Sequence, residues 1–178
     1  MVDEISHFSL YAIAVYGLLM YLFVHPCTGV FKIINYRCCG LCLPKSKPRP
    51  NDQGRSTVGD VLCGCHRLAL LRMLEDRQCE VCYTSFINDT IAKPYVILLD
   101  HNRRSIVISI RGTLSIDDCL ADVVAESVDL TLAGERWGFD GRNMYTHEGM
   151  LRSAMWVRSD LEKVGILPFL TGHHQDHH

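Results

Sequence analysis

No Asp, Glu, Lys or Arg occurs between Ile5 and Phe31 of this 178-residue chain. That absence excludes an ordinary surface helix there, because such a helix carries a polar face. A secretory signal is also missing. Asp3 and Glu4 stand where a signal peptide has its basic start. The chain has no basic excess; its formal charge of −2 argues against a nucleic-acid partner, which needs a positive surface. No internal repeat is visible, and the cysteine spacing, CC-x2-C, then C-x-C, then C-x2-C, lacks the regular paired pattern of a zinc site.

The uncharged stretch itself is informative. Phe8 to Val24 is seventeen residues long and almost wholly apolar. A bilayer core needs about 20 such residues, with a lower limit near 17. We read residues 1–31 as a transmembrane helix with its flanks, Tyr21 lying at an interface; the alternative is a buried core helix. Lys32, Arg37, Lys45, Lys47 and Arg49 follow, with no acid until Asp52. Positive charge stays cytoplasmic, so the following sequence is expected on the cytosolic side of a membrane. Pro44, Pro48, Pro50 and Gly54 make residues 32–62 a juxtamembrane linker by composition.

Nine cysteines are present. Their odd number and the missing signal weigh against a disulfide framework. Cys38, Cys39 and Cys42 lie close to the expected membrane surface, where S-acylation is one reading. A zinc site built with Cys63, Cys65, Cys79 and Cys82 is a second, although the spacing is irregular. Plain reduced thiols are the third.

Residues 63–178 read as α/β sequence. His66 to Gln78 has helical propensity. Glu80 to Phe86, Pro94 to Leu99 and Ser105 to Arg111 have strand character, and the last two are too closely connected for a parallel crossover, so a hairpin is expected. Asp129 to Tyr145 reads as a glycine-bearing loop, with Trp137 and Phe139 covering the core rather than touching lipid. A helix resumes near Gly149, with Met150, Ala154, Val157, Leu161 and Val164 as its core stripe and Gly165 as its stop.

Ser105 to Asp122, SIVISIRGTLSIDDCLAD, organises this region. Ile106, Val107, Ile108 and Ile110 suit a strand buried on both faces, central in the complete fold, so that truncation would expose a nearly continuous apolar β-edge. Gly112 breaks the run. Ser115 suits an N-cap, with Asp117 and Asp118 in the first helical turn. A turn from buried strand to helix N-terminus exposes backbone N–H groups suited to an anion or oxyanion.

Ile110-Arg111-Gly112-Thr113-Leu114-Ser115 resembles the [IVF]-R-G-[ST]-x-S turn of the class 3, fungal-type lipases. The longer stretch from Pro94 to Ser127 resembles the opening of the catalytic domain of the sn-1-specific diacylglycerol lipases. That resemblance implies an incomplete α/β-hydrolase domain preceded by the last of four membrane helices. It implies a serine lipase at the plasma membrane, cleaving diacylglycerol to monoacylglycerol and fatty acid on the cytoplasmic side. It also implies that Thr113 donates an oxyanion N–H, that Gly112 permits the turn, and that Arg111 and Asp122 brace it. For Arg111 and Asp122 an ordinary salt bridge is the other reading. No cofactor is evident; the resemblance admits calcium, without identifiable ligands.

The nucleophile elbow, Gly-x-Ser-x-Gly, does not occur. Gly54 to Gly59 contains Ser56 at the wrong spacing. We therefore expect the nucleophile, acid and base to lie beyond His178. His147, in an H-x-G-[FM]-like segment, precedes any such serine, whereas the order in this fold is Ser, acid, His; we read it as a helix cap. His173, His174, His177 and His178 read as a solvated end. Another class 3 lipase, a phospholipase A1 or triacylglycerol lipase, is an alternative. So is a non-catalytic, membrane-tethered binding fragment.

Overall fold

The computed structural model describes residues 2–33, 56–60, 62, 64–112 and 126–165. They fall into two units. One is Met1–Asn88 with Pro94–Arg111, and the other is Asp89–Lys93 with Gly112–His178.

The first unit is built on a four-stranded sheet of order β1-β2-β3-β4. The strands are β1 Ser56–Val58, β2 Cys79–Ser85, β3 Tyr95–Asp100 and β4 Ser105–Ile110. β1 runs parallel to β2, and β2, β3 and β4 alternate antiparallel. The expected hairpin forms with Leu98 opposite Val107 and Asp100 opposite Ser105. Between Val81 and Tyr83 the β2 register shifts, leaving Cys82 as a bulge. β1 falls within residues 32–62, where three residues are too few for a periodic strand signal.

Burial is distributed differently from expectation. β3, not β4, is the strand buried on both faces. Among the described residues β4 pairs only with β3, and Ile110 remains 47% exposed. A β-branched apolar run states that a strand suits a sheet; it does not state how many neighbours the strand has.

The apolar N-terminal stretch also differs from expectation. It does not form one helix over Phe8–Val24 but two, α1 Val2–Ala14 and α2 Leu18–Val24. No single helix among the described residues is long and apolar enough to cross a membrane. α1 and α2 have the length and composition only as a pair, bent by 119°. The break has three physical causes. Gly17 sits at φ 61°, ψ −131°, a region open mainly to glycine, and a Cβ there would meet His66 Nδ1 at 2.8 Å. His66 Nδ1 accepts the Leu18 N–H at 3.4 Å, so a side chain from outside the helix caps α2. Finally, Tyr11 and His7 are drawn to a carboxylate on the sheet.

α1 therefore lies on the sheet. Tyr11, Ala14 and Val15 pack with Val81, Phe86, Val96 and Leu98 and with Leu70 and Leu74. The last two flank the end of α3, Cys65–Met73. Ser109 Oγ donates to the Tyr11 carbonyl at 3.0 Å, pinning the end of α1 to β4. Tyr21 of α2 and Ile33, in the helical residues 29–33, pack with Ala69 of α3.

In the second unit, β5 Ser127–Asp129 pairs antiparallel with β6 Tyr145–His147. Between them stands α4, Thr131–Trp137, in sequence read as loop. Its start is marked by Asp129, whose Oδ1 accepts the Thr131 N–H at 2.7 Å. Two of the glycines that suggested a loop, Gly134 and Gly141, are close-packing positions instead, while Gly138 closes α4 in the left-handed region. A Cβ on Gly134 would meet the Phe139 carbonyl oxygen at 2.5 Å, and one on Gly141 the Leu130 carbonyl oxygen at 2.1 Å. Trp137 is half-buried under the Arg158 guanidinium, 5.3 Å from its ring, whereas Phe139 is exposed rather than in the core. α5, Glu148–Val164, ends at Gly165 in the left-handed region, as expected. Of its expected stripe only Val157 is buried, while Met150 and Ala154 are exposed.

Replacing Gly17 with alanine forces a disfavoured backbone and a clash with His66. We expect Gly17→Ala to destabilise the chain by about 2–3 kcal/mol in urea melts. A change within experimental error would show that the bend does not depend on Gly17.

Candidate functional site

The strand-to-turn segment begins where β4 ends. Arg111 is buried, its backbone N–H donating to the Pro94 carbonyl at 2.8 Å. Its Nη2 donates to Asn88 Oδ1. The guanidinium thus links the end of β4 to the chain just after β2, across β3. A charged, planar donor suits this task better than lysine because its fork is pre-organised. Gly112 follows at the surface.

Thr113 and Asp122 lie outside the described residues, as do Ser115, Asp117 and Asp118. The helix expected after the turn lies there too. Arg111 therefore has a bracing partner that sequence reasoning missed, Asn88, and the Arg111–Asp122 contact remains an expectation. Cys38, Cys39, Cys42, Cys63 and the terminal histidines also fall outside. Cys65, Cys79 and Cys82 are in no disulfide. Among the described residues no group of three or more His, Cys, Asp or Glu side chains is placed to hold a metal. His147 caps α5, its Nδ1 accepting the Met150 N–H at 3.3 Å.

A second polar cluster was not singled out from the sequence. Asp100, 1% exposed at the end of β3, accepts hydrogen bonds at Oδ2 from His7 Nε2 and from the Tyr11 hydroxyl, the latter at 2.9 Å. Its Oδ1 accepts the Arg103 N–H at 3.1 Å. Burial alone would raise the Asp100 carboxyl. The bonds from His7, Arg103 and Tyr11 together outweigh it and hold the group below the usual carboxylate range. The signal was present: Asp100 shares the core-facing period of Val96 and Leu98, so an apolar strand ends in a carboxylate on its buried side.

This cluster has an Asp–His pair but no activated nucleophile. Both contacts of the imidazole use Nε2. The thiol coupled to the cluster, Cys79, is pushed up by burial and by Asp100, away from the thiolate that attack requires. The arrangement is a structural tie between α1 and the sheet. His66 is likewise structural: burial lowers it, with Asp60 opposing and Arg111 assisting, which keeps Nδ1 available as the acceptor for α2.

Comparison with known proteins places these features. The chain is 33% identical over 167 residues to diacylglycerol lipase-alpha of Rattus norvegicus, covering 92% of this chain and 15% of that protein. Diacylglycerol lipase-alpha of Homo sapiens is 32% identical over the same length. Diacylglycerol lipase-beta of Mus musculus is 28% identical over 166 residues, 23% of its length. The chain thus spans less than a quarter of the relatives it resembles. No family model and no solved structure matches it. The resemblance is to lipases at the level of the family, and the mixed α/β fold is consistent with an α/β-hydrolase-like arrangement.

The Asp100 carboxylate yields a signed pH effect. Its folded value lies below its ordinary value, so the unfolded chain binds more protons as pH falls. Stability from this group is complete above about pH 4 and is lost as pH drops further, through the lower folded value. Asp100→Asn should be less stable at neutral pH and should flatten the acid limb of stability against pH. Parallel acid limbs for both proteins in urea melts would remove Asp100 from this role.

Proposed function

We propose that this chain is the front part of the catalytic domain of a membrane-associated serine lipase. Its substrate would be diacylglycerol, cleaved at sn-1 to monoacylglycerol and fatty acid, with the domain on the cytosolic side of the plasma membrane. The observation that carries the proposal is the resemblance to diacylglycerol lipases along 92% of the chain, with the Arg111-Gly112-Thr113 turn inside it.

Serine attack on an ester carbonyl places negative charge on the carbonyl oxygen. A preorganised N–H aimed at that oxygen lowers the barrier because it need not reorient during reaction. In this reading the Thr113 backbone N–H is such a donor, and Gly112 gives the turn its backbone freedom. Arg111 holds the end of β4 through Asn88, which keeps the turn from shifting, and Asp122 braces it from the helix side. An α/β-hydrolase supplies its other donor from the residue after the nucleophile. The nucleophile, acid and base required are not recognisable among these 178 residues, so the activity belongs to the longer enzyme. The stretch Cys38, Cys39 and Cys42 would carry S-acyl groups beside the membrane.

In a longer parent enzyme, Thr113→Ala should reduce turnover modestly, because the N–H remains. Thr113→Pro deletes that donor and should cost roughly 10²–10³ in rate. A thermal melt beside the assay separates lost chemistry from a distorted turn. Folded Thr113→Pro protein with near-wild-type activity would exclude the donor role. The 178-residue chain by itself should hydrolyse no fluorogenic ester and take up no fluorophosphonate probe. Stoichiometric labelling of one serine would place the nucleophile inside it.

A further inference from the structure

The sheet of the first unit has two unlike edges. β1, three residues long, is too short to template another strand. β4 is the opposite edge. It runs for six residues, Ser-Ile-Val-Ile-Ser-Ile, without charge, proline or glycine, and its register against β3 has no bulge. Charge, proline and bulges are the usual means of closing an edge to other chains. Among the described residues β3 is the one strand paired with β4, and β5 and β6 pair with each other. A single hydrogen bond sets the direction of the free groups. The Arg111 N–H turns toward β3, to the Pro94 carbonyl. Backbone groups alternate sides along an antiparallel strand, so those of Ser109, Val107 and Ser105 also face β3. Those of Ile110, Ile108 and Ile106 point outward. The same three side chains share one face of the sheet, where Ile108 is 39% exposed and Ile110 47%.

We infer that two copies of this chain pair through β4, antiparallel, about a two-fold axis at Ile108. In that register Ile108 faces Ile108 of the partner subunit, and Ile106 faces Ile110 of the partner subunit. Each such pair can exchange both of its N–H···O bonds, because the outward groups belong to these isoleucines. A shift of one residue would oppose them to Ser105, Val107 and Ser109, whose groups are spent on β3, and would turn one copy over. A shift of two would leave an isoleucine of each copy without its counterpart. The occupant is a second copy because the strand is its own complement: apolar meets apolar in every outward pair, and no charge from Ser105 to Ile110 opposes self-pairing. The contact is isologous and closes, since the joined sheet ends at β1 on both sides. It is also small. A standard interface takes about 800 Å² and 20–30 residues from each partner. This one rests on six residues a side, so the dimer is weak and concentration-dependent. The inference concerns the 178-residue chain and does not use the hydrolase reading. In a longer parent that lays a further strand on β4, the same groups are spent and no dimer forms through this edge.

The test is sedimentation velocity of the whole chain, under reducing conditions, across a concentration series. Wild type should pass from monomer to dimer and no further. Ile108→Lys sets two like charges opposite each other across the axis and removes an apolar pair, which should weaken the dimer about tenfold. Ile108→Glu should do the same. An equimolar mixture of the two should regain the dimer, because lysine then faces glutamate. Leu132→Ser, at a residue 79% exposed in the other unit, should change nothing. Ile108 is exposed, so near-wild-type thermal melts are expected. Should the charge variants not fold, hydrogen exchange of wild type decides: the Ile106, Ile108 and Ile110 amides should slow as concentration rises, and those of Val107 and Ser109 should not. Wild type that stays monomeric, or that grows into open-ended species, would overturn the dimer. So would unchanged association of the charge variants, a mixture that remains monomeric, equal loss from Leu132→Ser, or isoleucine amides whose exchange ignores concentration.

Discussion

A buried carboxylate governs the first unit. Asp100 stands at the end of an apolar strand, out of water, where an unpaired ionised group would cost several kcal/mol or more. Two of its three donors, His7 and Tyr11, come from the N-terminal helix, and the third comes from the turn at Arg103. The helix must therefore lie on the sheet with these residues facing down. Ala14 and Val15, one turn on, are carried into the core by the same orientation. Ser109 then takes the Tyr11 carbonyl, and the chain has to turn at Gly17.

That turn has consequences for the rest of the segment. It frees α2 to pack on α3 instead of extending α1. The unpaired N–H at the start of α2 finds His66, which burial keeps neutral. Arg111 lies near enough to add to that effect, so the helical layer and the strand end that precedes the Gly112 turn are electrostatically linked. The same guanidinium bonds Asn88, which makes the end of β4 one of the better-braced places in this unit.

Much of this was legible residue by residue. Alternating and β-branched runs marked β2, β3 and β4, and a four-residue connection required the β3–β4 hairpin. The order of triad residues excluded His147 as a base, and the structure places it as a cap. What escaped reading has physical causes. β1 is three residues long and has no period. Gly134 and Gly141 signal a loop by composition, but their function is to let backbone touch backbone. Asn88 carries no local pattern at all, because its role exists only once β2 and β4 have been brought to either side of β3.

The local content of this protein was largely decided in its sequence: the three longer strands β2, β3 and β4, where α5 starts and stops, and the strand-to-turn motif that resembles lipases. Hydrogen bonding within a segment and the period of its apolar residues are properties of neighbours along the chain. The fate of the uncharged N-terminal stretch was decided only in the tertiary structure. Composition makes Phe8–Val24 a membrane span. A carboxylate some ninety residues later, buried among apolar side chains and needing donors, makes its first half a layer on a sheet.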